Sequence, residues 1–112
     1  MIEDVVLNYL KYHLSAPVYI STPEDKPQEY FVLEKTGGGL TNKIKQATIT
    51  VQAYAGSYYR ASQLIDEANA AMLDGLINLD EISEVVLNGS YDYTDTTTKR
   101  PRYQSVFVVT HY

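Results

Sequence analysis

Ala47-Thr48-Ile49-Thr50-Val51-Gln52-Ala53-Tyr54-Ala55, followed directly by Gly56-Ser57 and a second apolar pattern from Ala61, decides the fold of this chain. Ala47, Ile49, Val51, Ala53 and Ala55 point one way and Thr48, Thr50, Gln52 and Tyr54 the other, the period of a strand with one buried face. Gly56-Ser57 supplies a turn and an N-cap. Beyond it Ala61, Leu64, Ile65, Ala68, Ala71 and Met72 recur at helical spacing until Gly75. Strand and helix therefore present matching apolar faces.

Upstream, Ile2, Val5, Val6, Tyr9, Leu10 and Leu14 form one stripe of a helix over 2–14, with Glu3 and Asp4 in the first turn where they favour the helix dipole. Ala16-Pro17 stops it, because proline excludes the preceding residue from helical dihedrals. Val18 to Ser21 reads as a short extra strand, and Thr22 to Gln28, with Pro23 and Pro27, as a polar loop. Tyr30 to Lys35 alternates as a half-buried strand, and Gly37-Gly38-Gly39 after it reads as a mobile loop. Downstream of a connector holding Leu76, Ile77 and Leu79, Ile82 to Tyr93 and Tyr103 to Tyr112 read as two strands joined by the polar run Thr94 to Arg102. Asn88-Gly89 is read as a bulge inside one long hairpin, in preference to a tighter turn. The order is helix, two strands, helix, two strands. It predicts an α+β fold: a mainly antiparallel four-stranded sheet with both helices on one face, and a single domain over 1–112.

Composition narrows the chemistry. The chain has 112 residues, 45% of them hydrophobic, enough for one core that buries roughly 65% of the unfolded surface. The absence of cysteine excludes disulfides, thiol catalysis and cysteine-ligated zinc, and fits a reducing compartment. The N-terminus lacks a basic segment followed by a long apolar run, so no export is expected. No stretch reaches the roughly 18 apolar residues of a membrane span. A net charge of −5 argues against stable nucleic-acid binding, which gains affinity from basic footprints.

The charges are segregated. Between Ala61 and Thr98 stand Asp66, Glu67, Asp74, Asp80, Glu81, Glu84, Asp92 and Asp95 without one lysine or arginine. Lys35, Lys43, Lys45 and Arg60 lie in an acid-free segment from Lys35 to Ile65, and Lys99, Arg100 and Arg102 close the acidic run. Separate patches of opposite sign favour head-to-tail association of copies. They are equally compatible with patches that neighbour one another on one folded subunit. The eleven tyrosines are the other outlier. Tyr54, Tyr58, Tyr59, Tyr91, Tyr93 and Tyr103 are interface candidates, or cross-strand pairs in the case of the last three.

No catalytic constellation emerges, and neither a cofactor nor a metal is expected. His13 lies beside the first helical stripe and His111 near the C-terminus, with no partner specified for a general base. Asp92 and Asp95 lack the glycine and oxygen-ligand spacing of a calcium loop. Gly37-Gly38-Gly39 is followed by Leu40-Thr41 where a phosphate loop needs Gly-Lys-Ser/Thr. Asn88-Gly89-Ser90 fits a glycosylation acceptor but reads better as turn chemistry.

The whole pattern resembles the tail terminator, or tail completion, proteins of long-tailed bacteriophages. The likeness rests on the N-terminal helix, Pro17-Val18-Tyr19, the strand Ala47 to Tyr54 running through Gly56-Ser57 into an alanine-rich helix, and the hairpin from Tyr91-Asp92 to Val109. It implies a non-enzymatic virion protein whose α+β subunits form a hexameric ring on the head-proximal end of the tail tube. Its partners would be further copies, the tail tube protein and a head-neck connector protein, and it would reside in the virion tail after assembly in the host cytoplasm. The resemblance also implies that the segments Thr36 to Lys45 and Thr94 to Arg102 are loops meeting the tube or a neighbouring subunit. Candidate interface residues are then Lys43, Lys45, Tyr54, Tyr58, Tyr59, Arg60, Lys99, Arg100 and Arg102, and Glu81, Glu84, Asp92 and Asp95 are candidates for an acidic lumen that repels passing DNA. Reversing Arg100 and Arg102 to glutamate is expected to weaken association and spare the subunit's thermal transition. A head-to-tail adaptor or other neck protein is the alternative within phage assembly, and a monomeric binding or regulatory module of a mobile element the alternative outside it.

Overall fold

The computed structural model describes residues 2–21, 24, 27–41, 44–94, 96–97 and 99–112, of positions 40 and 41 the backbone alone. Helix α1 (Ile2–His13) buries Ile2, Val6 and Leu10, with Glu3 and Asp4 in its first turn. Strand β1 (Val18–Tyr19) is followed by β2 (Tyr30–Thr41) and β3 (Ile44–Tyr54). Helix α2 (Tyr58–Ala70) starts at Ser57, whose Oγ accepts the backbone N–H of Arg60 at 3.1 Å as a cap should. The helical path continues through a π-helical turn (Ala71–Gly75) and a 3-10 turn (Leu76–Asn78) before β4 (Ile82–Asp92) and β5 (Arg102–His111).

The fold is α+β, and the sheet runs β1-β2-β3-β5-β4 with every neighbouring pair antiparallel except β1 and β2. The expected four strands become five in a mixed sheet, the fifth lying within the segment Val18 to Ser21 read as a short extra strand. The two residues of β1 pair in parallel with Phe31 and Val32, so the short segment after Pro17 joins as an edge strand. Both helices lie on one face. There Phe31 and Leu33 of β2, Ala47, Ile49, Val51 and Ala53 of β3, and Phe107 and Val109 of β5 meet Val6, Leu10, Ala61, Leu64, Ile65 and Ala68. Apart from Phe107 and Val109, these are the residues that the period-two and helical patterns assign to one apolar face. Ser15 joins the two helices: its N–H and hydroxyl donate to the Glu67 carboxylate at 2.6 and 2.9 Å.

A second correction concerns the glycines. Gly37, Gly38 and Gly39 lie inside β2, opposite Thr48, Ala47 and Gln46, so the predicted loop from Thr36 to Lys45 is mostly the end of a long β2–β3 hairpin. No described glycine has a positive φ, so the left-handed freedom of the run is unused. The run opens with a register shift between Lys35 and Gly37, a bulge in β2. The bulge expected at Asn88-Gly89 is present, as a shift between Leu87 and Gly89 within β4.

Candidate interaction surface

One face of the sheet carries the helices; among the described residues the other carries no helix or further strand, although Tyr30, Val32, Thr50 and Gln104 on it are buried. Side chains alternate along each strand, so the residues opposite the core pattern populate the uncovered face: Tyr30 and Val32, Gln52 and Tyr54, Arg102 and Gln104, and Tyr91. At one end of this face the rings stack in a ladder. Tyr30 and Tyr54 lie parallel with centroids 4.5 Å apart, and Tyr19 meets the edge of Tyr30 at 6.1 Å. The Arg100 guanidinium sits 5.4 Å from the Tyr30 centroid, and that of Arg102 lies between Tyr54 at 5.6 Å and Tyr93 at 4.7 Å. Tyr91 closes the row edge-on to Tyr93 at 5.9 Å.

Hydrogen bonds fix the same groups. Arg102 Nη1 donates to Tyr54 Oη at 3.0 Å, and Tyr54 Oη donates to Gln52 Oε1 at 3.1 Å. Gln52 Nε2 donates to Gln104 Oε1 and Gln104 Nε2 to Tyr91 Oη, each at 2.8 Å. This chain crosses β3, β5 and β4, so the polar groups of the face are spent on one another. The surface between them is apolar and aromatic, with Val86, Tyr91 and Tyr93 each more than 40% exposed. Tyrosine and arginine, the residues that order this patch, are types enriched at protein interfaces.

Burial, followed by the neighbouring Tyr54 phenol, pushes the Tyr30 hydroxyl above its ordinary pKa of 10.0, against the opposing pull of Arg100 and Arg102. Tyr30 therefore holds its proton more firmly folded than unfolded. Its contribution to stability is constant below about pH 10 and is lost as pH rises above that value, where the unfolded phenol ionises first. Thermal melts at pH 8 and 10.5 are expected to show a fall that is shallower in Tyr30→Phe. Equal slopes in the two proteins would sink the assignment.

The arginines are not solvated loop cations. Arg100 Nη2 donates to the carbonyls of Pro27 and Gln28 at 3.0 and 2.6 Å, and Arg102 Nε donates to the Tyr93 carbonyl at 2.8 Å. The expectation that reversing them would spare the subunit is corrected, since both tie the 94–102 connection to the rest of the fold. Arg60 is likewise engaged, gripping Glu29 through Nε at 2.6 Å and Nη2 at 3.2 Å. The hydrogen bond to that carboxylate is the main cause of its raised pKa.

The predicted site residues therefore separate. Tyr54, Arg100 and Arg102 come together on the uncovered face, joined by Tyr91 and Tyr93. Tyr58 and Tyr59, exposed in the first turn of α2, lie with Arg60 in a second patch. Lys45 is exposed in the β2–β3 hairpin and Lys99 in the β4–β5 connection, where it takes a φ of 56°. Lys43 and Asp95 lie outside the described residues. Of the acids, Glu81 and Glu84 are exposed at one end of β4. Asp92, at the other end, accepts from the N–H and hydroxyl of Thr94 at 3.0 and 2.7 Å, opposite Tyr103 on the helix side. They do not form one lining within the subunit. The ladder members that sequence reasoning missed are Tyr30, Gln52 and Gln104, whose only signal was their place on the polar side of the strand alternation.

His13 packs against Tyr9 with centroids 4.2 Å apart, and His111 Nδ1 lies 3.3 Å from the Tyr112 carbonyl. Among the described residues no three of His, Cys, Asp and Glu gather as a metal site, and no helix is long and apolar enough to cross a membrane. Compared with known proteins, the chain matches no protein-family model and no curated protein sequence.

Proposed function

We propose that this chain is a structural virion protein, a tail terminator whose copies close into a ring, a hexamer by resemblance, on the head-proximal end of a phage tail tube. The ring ends tube growth and offers the surface to which the filled head is joined. It catalyses no reaction, and DNA passes through it without stable binding. The observation that carries this reading is the sheet face opposite the helices, where Val86, Tyr91 and Tyr93 are exposed beside the stacked Arg102 and, among the described residues, no helix or further strand lies over them. The separation of basic and acidic segments adds support, because a surface that meets a different surface on the next copy generates a ring where the rotation closes.

Deleting the gene from its phage tests the reading: tubes of uncontrolled length without heads are expected. Tubes of normal length joined to heads would refute it. Light scattering across a concentration series supplies the assembly state, with a mass at a multiple of the 12.6 kDa subunit expected.

A further inference from the structure

Beside its buried stripe, α1 has a second face that lines a groove. Val5 and Tyr9 of α1 and Leu79 of the connector form its floor, each partly buried against the core. Asn8, Tyr12, His13 and Glu81, all exposed, form the rim of a hollow of about 420 Å³, room for a small ligand. Both walls are fixed by the fold. Leu79 donates its N–H to the Leu76 carbonyl at 3.1 Å and accepts that of Ile82 at 3.0 Å, and the Glu81 carbonyl accepts the N–H of Tyr112 at 3.0 Å. On α1 the His13 ring packs on both tyrosines, with its centroid 4.2 Å from that of Tyr9 and 5.5 Å from that of Tyr12.

The polar groups of this groove are unspent. Among the described residues the Asn8 amide, the Tyr12 hydroxyl and the Glu81 carboxylate make no hydrogen bond or ion pair, in contrast to the Gln52–Gln104–Tyr91 chain on the other side of the sheet. Lys45 lines a neighbouring hollow with Glu81 but forms no ion pair with it. No lysine or arginine among the described residues lines the α1 groove, so its one permanently charged side chain is a carboxylate. Tyr12 is 87% exposed, which leaves its ring open to an approaching group.

Tyrosine rings beside oxygen acceptors select a cation. The subunit itself shows the mode: Arg102 lies over Tyr54 and Tyr93 while donating to Tyr54 Oη and the Tyr93 carbonyl, and Arg100 lies over Tyr30 while donating to two carbonyls. The α1 groove offers the same elements with a carboxylate added. A guanidinium has five donors and no acceptor, and so suits Glu81, the Asn8 side-chain oxygen and the Tyr12 hydroxyl together. A metal ion is less well served, since no three of His, Cys, Asp and Glu gather among the described residues. The apolar floor suits an alkyl stem. We propose that this groove binds a guanidinium or alkylammonium group on an apolar stem, the head against the Tyr12 ring and the Glu81 carboxylate, and the stem over Val5 and Leu79. A free small molecule and a side chain of a second copy bring that chemistry alike. The site stands whether or not the copies close into a ring.

The probe is n-butylguanidinium, with n-butylurea as its uncharged isostere. In proton NMR of the dilute chain, butylguanidinium is expected to shift the ring signals of Tyr9, Tyr12 and His13 saturably and to leave Tyr58 and Tyr59, exposed beside Arg60, unmoved. Butylurea is expected to bind about fivefold more weakly, or worse. Glu81→Gln and Tyr12→Ala are each expected to weaken the probe by about two- to fivefold with unchanged circular dichroism, since both side chains are exposed and Glu81 is tied to Tyr112 through its backbone. Raising the protein concentration without probe separates the sources. Ring shifts that butylguanidinium reverses assign the cation to a second copy, and constant signals that still respond to the probe assign it to a free ligand. Rings that respond to neither, an equal response to butylurea, or a response that survives the paired Glu81→Gln, Tyr12→Ala change would overturn the site.

Discussion

The Arg100→Glu, Arg102→Glu double variant is expected to lose on the order of 4 kcal/mol of folding stability, because both guanidiniums are structural members of the subunit. Arg100 holds the carbonyls of Pro27 and Gln28 and covers Tyr30, and Arg102 bonds Tyr54 Oη and the Tyr93 carbonyl while lying between those two rings. A hydrogen bond from a charged donor is worth roughly 1.5–3 kcal/mol and a cation–π contact about 0.5–1 kcal/mol. Partial exposure of both residues and chain relaxation keep the total below the sum. Glutamate also sets a carboxylate against carbonyl oxygens and the negative faces of the rings, so reversal costs more than truncation. In thermal denaturation the loss is expected to lower the midpoint by on the order of 15 °C. Lys99→Glu is the comparison: it changes charge in the same connection at an exposed side chain, and is expected to stay within about 0.5 kcal/mol of the parent. A double variant as stable as Lys99→Glu would show that the stacked geometry contributes nothing. A change in association can be assigned to the interface itself only after this loss is measured.

How far the fold is legible in the sequence follows from which forces act locally. The alternation from Ala47 to Ala55 and the helical stripe from Ala61 to Met72 record burial on one face, and burial decides both elements. The extension of β2 through Gly37-Gly38-Gly39 is decided instead by a partner. Glycine disfavours strands on its own, yet Gln46, Ala47 and Thr48 supply a ladder that fixes it extended. β1 is legible only as a short extended segment after Pro17, since its two residues carry no period and their parallel pairing with Phe31 and Val32 is set by the fold. The same logic divides the candidate surface. Tyr54, Tyr91, Tyr93, Arg100 and Arg102 stand out by residue type, but their convergence needs the strand order, in which β5 inserts between β3 and β4 and carries Arg102 up against Tyr54 and Tyr93. Tyr30, Gln52 and Gln104 look like ordinary strand residues until the registers place them in one row.

The turn after α2 is the feature least legible in sequence, and Gly75→Ala tests what sets it. Gly75 has a φ of −115° and a ψ of −44°, so alanine meets no left-handed strain, and in a helical segment it would gain up to about 1 kcal/mol over glycine. Space opposes it. A Cβ at this position would collide with the Tyr9 hydroxyl and come within 2.9 Å of the ring carbon that bears it. Tyr9 packs at the margin of the core and against His13, contacts that it gives up on withdrawing into the open pocket that it lines. Overpacking of this kind costs about 1–3 kcal/mol, more than the propensity gain, and net destabilisation by about 1–2 kcal/mol is expected. The test is a double-mutant cycle with Tyr9→Leu, which removes the ring that the new methyl meets. In that background Gly75→Ala is expected to become neutral or stabilising. An unchanged cost there would mean that the turn depends on glycine's backbone rather than on the tyrosine it accommodates. If the coupling appears, α1 shapes the π-helical turn through Tyr9, and the path from α2 into β4, with Glu81 and Glu84 at its start, depends on that contact.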